Sequence, residues 1–296
     1  MTDQHRHVTA PTLFVEANGI RYAYRRFGKT QGTPVLFMQH FRGGMDHWDP
    51  AVTDGFAKTR PVILFDNAGV ASSSGETPET IDLMAERAAD FVGALGVLQF
   101  DLLGFSIGGY VAQALAIRYP ELIRRLMLVG TGPRGGEPPQ DPKYAEYGAM
   151  TDPKTGQNPL ESFLYLFFRP SPTSQAAGKK FWARRHERKD DVDVATSAQT
   201  MAAQRAAIGE WRQPRGERFA ELKAIVHPTL VVNGHNDIMV PTINSYILSQ
   251  TIPNAQLIIY PDSGHGSLFQ FPELFVEHAQ MFLDRSDGAA ATRNAF

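Results

Sequence analysis

The sequence contains no cysteine, which excludes disulfides, thiolate nucleophiles and metal sites built on sulfur. An excess of charge of either sign is also missing, because the formal net charge of the 296 residues is -2. A balance so near neutral argues against a nucleic-acid partner and leaves small neutral or weakly polar molecules as the expected ligands. No stretch approaches the roughly eighteen apolar residues of a membrane span. The leading Met1-Thr-Asp-Gln-His-Arg-His-Val8 lacks the apolar centre of an export signal. A soluble, cytoplasmic chain is the expectation.

What is present is ordinary for a globular chain, with 43% hydrophobic and 20% charged residues. A chain of this length can bury roughly three quarters of its unfolded surface, so a sizeable core is available. Asn18-Gly19 between Thr12–Ala17 and Ile20–Phe27 predicts a β-hairpin. From Pro34 onward, unbroken apolar runs alternate with segments of helical spacing: Pro34–Gln39, Pro61–Asp66, Gln99–Gly104, Leu126–Gly130, Pro228–Asn233 and Gln256–Tyr260 read as buried strands. Helices are expected over Asp46–Ala57, from Thr77-Pro78 through Leu95, up to Tyr119, over Pro241–Thr251 and over Pro272–Leu283. Such alternation predicts an α/β fold with a mostly parallel central sheet and flanking helices. It lapses from Arg134 to Arg218, where the pattern is helical and rich in Phe and Trp. The expected organisation is a core of residues 1–133 and 219–284, an inserted helical cap of 134–218, and a flexible tail of 285–296.

The chain is arranged around Asp101-Leu-Leu-Gly-Phe-Ser-Ile-Gly-Gly-Tyr110. A strand breaking at Gly104-Phe-Ser-Ile-Gly108 into a helix holds Ser106 on a sharp, strained turn, with its hydroxyl lifted above the sheet edge. A serine hydroxyl needs a base, and the base needs an orienting acid. Asp237, in Gly234-His-Asn-Asp237, and His265, in Ser263-Gly-His-Gly266, each follow a predicted strand. Parallel strands place their carboxyl ends along one edge, so Ser106, Asp237 and His265 can converge there.

These motifs, in the order Ser, Asp, His, resemble the α/β-hydrolase-fold serine hydrolases over residues 12 to 284. The resemblance implies an acyl-enzyme on Ser106, with His265 as general base and Asp237 orienting it. It also implies an oxyanion hole formed by the backbone N–H groups of Ile107 and Phe41. The family's usual His-Gly before the second donor is here Gln39-His40, and His40 lacks glycine's freedom at positive φ. A serine at the elbow, where haloalkane dehalogenase and epoxide hydrolase branches carry an aspartate, implies acyl chemistry. The expected function is hydrolysis of a small, largely apolar ester or lactone. Carbon-carbon hydrolysis, cofactor-free perhydrolysis and a hydrolase-like ligand receptor stay open.

Other motifs point elsewhere and are discounted. Gly130-Thr-Gly-Pro-Arg-Gly135 fits the dinucleotide pattern, but Pro133 and Pro138-Pro139 forbid the helix it needs. Neither cofactor nor metal is expected; His5 and His7 are read as lying in a loose, mobile lead, a poor place for a metal site. The basic run from Lys179 to Lys189, followed by Asp190, Asp191 and Asp193, reads as a solvated helix face.

Overall fold

The computed structural model describes residues 6–141 and 159–285. Eight strands form one sheet in the order β1-β2-β4-β3-β5-β6-β7-β8. β1 (Leu13–Ala17) and β2 (Ile20–Gly28) form the antiparallel hairpin, and Asn18 and Gly19 at its tip both take positive φ, 50° and 77°. That is what a tight turn between right-twisted strands requires. β2 runs antiparallel to β4 (Pro61–Phe65). The pairings among β4, β3 (Val35–Met38), β5 (Phe100–Phe105), β6 (Ile123–Val129), β7 (Thr229–Gly234) and β8 (Ala255–Tyr260) are all parallel. Their carboxyl ends therefore share one edge.

The helices described are α1 (Pro50–Ala57), α2 (Ile81–Ala94), α3 (Ile107–Arg118), α4 (Pro159–Phe167), α5 (Pro172–Arg185), α6 (Ala198–Trp211), α7 (Ile243–Thr251), α8 (Ser267–Gln270) and α9 (Pro272–Leu283). Because side chains alternate along a strand, each apolar run feeds two cores. Val35, Phe37, Val62, Leu64, Leu103 and Phe105 face α1 and α9, while Leu36, Met38, Ile63, Phe65 and Leu102 face α2 and α3. Each such side chain contributes about 1.5–3 kcal/mol of burial. α3 is buried continuously from Ile107 to Ala116, so the helix behind the serine turn is packed on all sides. Among the described residues, no helix is long and apolar enough to cross a membrane.

Between β6 and β7 the chain leaves the sheet, and the described part of that insertion carries α4, α5 and α6. It returns to the sheet's carboxyl-end loops and to α3: Phe167 accepts a hydrogen bond from Gly266 N–H (2.8 Å), Thr200 donates to Gly69 (2.7 Å), and Trp211 stacks on Tyr110 of α3 (5.3 Å). Residues 142–158 of the expected cap and 286–296 of the expected tail lie outside the described residues, as does His5.

Several local expectations are corrected. The first helix starts at Pro50 rather than Asp46, since Asp49 caps it through Ala51 N–H (2.9 Å) and Pro50 occupies the first turn. His7 is not in a loose lead: it is buried, with Nδ1 2.9 Å from Thr53 Oγ1. The basic run is a solvated face only at Lys179, Lys180 and Lys189, which are exposed; Arg184 pairs with buried Asp49 (2.5 Å) and Arg188 is itself buried.

Candidate active site

The elbow forms because glycines stand wherever strand and helix touch. A Cβ on Gly108 would collide with the carbonyl oxygen of Met38, and one on Gly104 would lie 2.7 Å from the Ala112 Cβ. Ser106, between β5 and α3, takes φ 58° and ψ -122°, a conformation that side-chain-bearing residues avoid. Its backbone over-determines that strain: Ser106 N–H donates to Val129 (3.0 Å), and its carbonyl accepts from Thr131 Oγ1 (2.8 Å) and Gly109 N–H (2.9 Å). Ser106 retains 8% exposure, and its hydroxyl has no hydrogen bond among the described residues.

Asp237 follows β7. One carboxylate oxygen accepts from Met239 N–H (2.8 Å) and Val240 N–H (2.9 Å), which aims the other at His265. That second oxygen lies 2.7 Å from His265 Nδ1, with both side chains fully buried. Because the first oxygen is held by two backbone donors, the carboxylate cannot rotate away. The two loops touch across Gly234, where a Cβ would meet the carbonyls of Ser263 and Gly264. Asn236 N–H also donates to Ser263 (3.1 Å). Nδ1 faces a carboxylate, so it carries the proton, and Nε2 is left as a lone-pair acceptor. Among the described residues that buried Nε2 has no partner. The imidazole packs on Phe105 (4.9 Å) and, edge to face, on Phe167 (5.1 Å).

Asp262, the other acid near the histidine, is turned away. It accepts from Ser171 (2.7 Å) and Thr173 (2.5 Å) at the start of α5.

The loop after β3 places Phe41 half-buried with its N–H unpaired among the described residues, and Ile107 opens α3 with an N–H that has no acceptor within the helix. The positive φ in this loop falls on Arg42 (62°), so His40 needs none of glycine's freedom. Two side chains of the insertion clamp the loop: Gln204 accepts from Arg42 N–H (2.7 Å), and Thr196 donates to the Arg42 carbonyl (2.8 Å).

Sequence reasoning did not single out His40 as a site residue. Its Nδ1 lies 2.8 Å from the Phe41 carbonyl, which can only accept, so Nδ1 carries the proton and Nε2 is a second unpartnered acceptor. Burial pushes its pKa down to about 3, although the bond to Phe41 opposes the shift. The ring packs against the same Phe105 (5.7 Å) and Phe167 (5.4 Å) that flank His265. Two histidines thus share one pair of aromatic walls. No motif marks His40; its position after a buried strand was the sole signal. A cavity of ≈ 40 Å³ beside the elbow touches His40, Ile107 and Gln204 but none of Ser106, Asp237 and His265. It has room for water rather than a substrate. No cluster able to hold a metal occurs among the described residues.

This strand order, with a strained serine turn between β5 and α3, defines a class, and residues 33–272 match the family model described as alpha/beta hydrolase fold. The chain belongs to that family. It is similar to the alpha/beta hydrolase fold protein from Chitinophaga pinensis, with 41% identity, a TM-score of 0.89 and coverage of 95% of this chain and 100% of that one. Among named relatives it is 27% identical over 273 residues to the 2-hydroxymuconate semialdehyde hydrolase of Pseudomonas sp. (strain CF600), covering 88% of this chain and 89% of the relative. It is 29% identical over 279 residues to the poly(3-hydroxyalkanoate) depolymerase of Ectopseudomonas oleovorans, covering 93% and 92%.

Proposed function

We propose that the protein is a serine hydrolase that cleaves a small ester or lactone through an acyl-enzyme on Ser106. The observation that carries this reading is the unpaired Nε2 of a buried His265 whose Nδ1 is fixed by Asp237 and whose ring packs on Phe105, the residue before a serine held at φ 58°. In the reaction, Nε2 takes the hydroxyl proton as Ser106 Oγ attacks the carbonyl carbon, and Asp237 stabilises the imidazolium. The tetrahedral oxyanion is held by Ile107 N–H, at the positive end of the α3 dipole, and by Phe41 N–H. Nε2 then returns the proton to the leaving alkoxide, and water hydrolyses the acyl-enzyme by the same sequence. The inserted helices act as a cap: Phe167 walls the imidazole, while Gln204 and Thr196 hold the oxyanion loop.

Turnover of nitrophenyl esters and simple lactones, compared in wild type and Ser106→Ala, tests the reading. It predicts measurable wild-type hydrolysis and a loss of at least about a thousandfold in the variant. A wild type inert toward both classes rejects it. A second reading, carbon-carbon hydrolysis on the same residues, is favoured by the likeness to a 2-hydroxymuconate semialdehyde hydrolase. Faster turnover of a dienoic ring-fission product than of any ester selects it.

A further inference from the structure

Three arginines stand at and just beyond the carboxyl end of α5, and two are fully engaged. Arg184 grips Asp49 with two bonds (2.8 and 2.5 Å). Arg188 binds the carbonyls of His7 (3.1 Å), Ala10 (2.9 Å) and Asp191 (3.0 Å), and the Asp191 carboxylate (3.0 Å). Arg185 lies between them, partly buried, with neither a hydrogen bond nor an ion pair among the described residues. Its guanidinium stacks on a floor of rings instead, 4.8 Å from Trp182, 5.4 Å from Phe163 and 5.9 Å from Phe181. Stacking eases the desolvation of the cation's face but leaves its in-plane N–H donors without an acceptor.

The acid whose field reaches Arg185 is Asp46, and that carboxylate is already taken by Arg25 and by Asp193 N–H (2.6 Å). Burial accordingly lowers the pKa of Arg185 to about 10. The cation also stands on the side of the candidate active site. Phe163 beneath it stacks on Phe167 (4.1 Å), the ring that walls His265 and His40, and the Arg185 charge helps hold His40 and His47 in their neutral forms.

We propose that Arg185 anchors a carboxylate carried by the substrate, so that the preferred esters or lactones have an apolar body and an acid group remote from the scissile bond. This rests on the hydrolase reading and narrows its substrate class. A planar guanidinium with free in-plane donors matches a carboxylate through two parallel bonds, and stacking on a rigid aromatic floor pre-orients the fork. The anchor lies away from the reacting atoms, so it acts on binding more than on the chemical step.

The test compares nitrophenyl butyrate with the nitrophenyl hemiesters of succinate and glutarate, and phenyl acetate with carboxyphenyl acetate, in wild type, Arg185→Met and Arg185→Lys. The expected result is a wild-type preference for the acidic member of at least one pair, expressed mainly in KM. Arg185→Met should lose that preference by about tenfold or more while turning over the neutral esters as before, with Arg185→Lys intermediate. No preference in either pair, or equal losses on neutral and acidic esters in Arg185→Met, overturns the proposal and leaves the hydrolase reading intact. Should no ester be cleaved, that reading fails first. Calorimetry with glutarate then decides the anchor separately: Ser106→Ala should bind it and Ser106→Ala with Arg185→Met should not, whereas no binding, or equal binding, refutes the anchor.

Discussion

His265 Nδ1 lies 2.7 Å from Asp237 Oδ2 with both side chains fully buried, and the other Asp237 oxygen is fixed by Met239 and Val240 N–H. In Asp237→Asn the amide oxygen must take the place held by those two backbone donors, which turns the NH2 group toward His265. The ring would then present a lone pair at Nδ1 and a proton at Nε2, the wrong tautomer for accepting a proton from Ser106. The fold should survive while kcat falls about 10³- to 10⁴-fold, as read from ester kinetics beside a circular dichroism melt.

Gly108→Ala addresses the elbow without touching a side chain of the site. Its Cβ would strike the Met38 carbonyl, which is backbone and cannot turn aside. A destabilisation of about 1–3 kcal/mol in urea is expected, together with reduced activity, because α3 and the loop after β3 carry the two proposed oxyanion donors.

The pairing of Arg184 with Asp49 ties α5 to the cap of α1, and Asp49 is fully buried. Arg184→Met should cost about 1–3 kcal/mol by leaving a buried carboxylate unpaired. Arg215→Met, which breaks the exposed pair with Asp82 (2.8 Å), should cost less than about 1 kcal/mol. Equal midpoints for the two variants in urea would contradict this ranking.

A pH dependence of stability follows from Asp193, which the insertion delivers into the sheet body beside Arg25 and Asp46. Burial, reinforced by the Asp46 charge, raises its pKa from 3.8 to about 6. A raised carboxyl pKa means that the folded state holds the proton more tightly than the unfolded chain. Its favourable contribution is therefore complete below about pH 4 and is lost as pH rises through about 6. Asp193→Asn removes that titration, so its urea midpoint should gain on the wild type between pH 4 and pH 7. A constant difference across that window would contradict the assignment.

The sequence showed the sheet because a strand covered on both faces needs an unbroken apolar run, and the runs at Val35, Val62, Leu102 and Leu230 could be read directly. The shared edge of the loops carrying Ser106, Asp237 and His265 was legible for the same reason, since parallel strands bring their following loops together whatever the distance along the chain. Less visible was everything decided by side chains meeting across the insertion. Arg25 finds Asp193, Thr12 N–H finds Asp191, and Arg184 finds Asp49, pairs that no local spacing announces. For this reason a run that reads as a solvated basic face contains one stacked and two engaged arginines. His40 was obscured differently: its protonated Nδ1 is set by the carbonyl of the next residue, a matter of backbone direction rather than residue type.

The central claim, that Ser106 is an activated nucleophile, is tested most directly by an alkyl fluorophosphonate with intact-mass analysis and peptide mapping. The account predicts a single adduct on Ser106, formed quickly in wild type, strongly slowed in His265→Ala and absent in Ser106→Ala. Modification of another residue, or an undiminished adduct in Ser106→Ala, would contradict it.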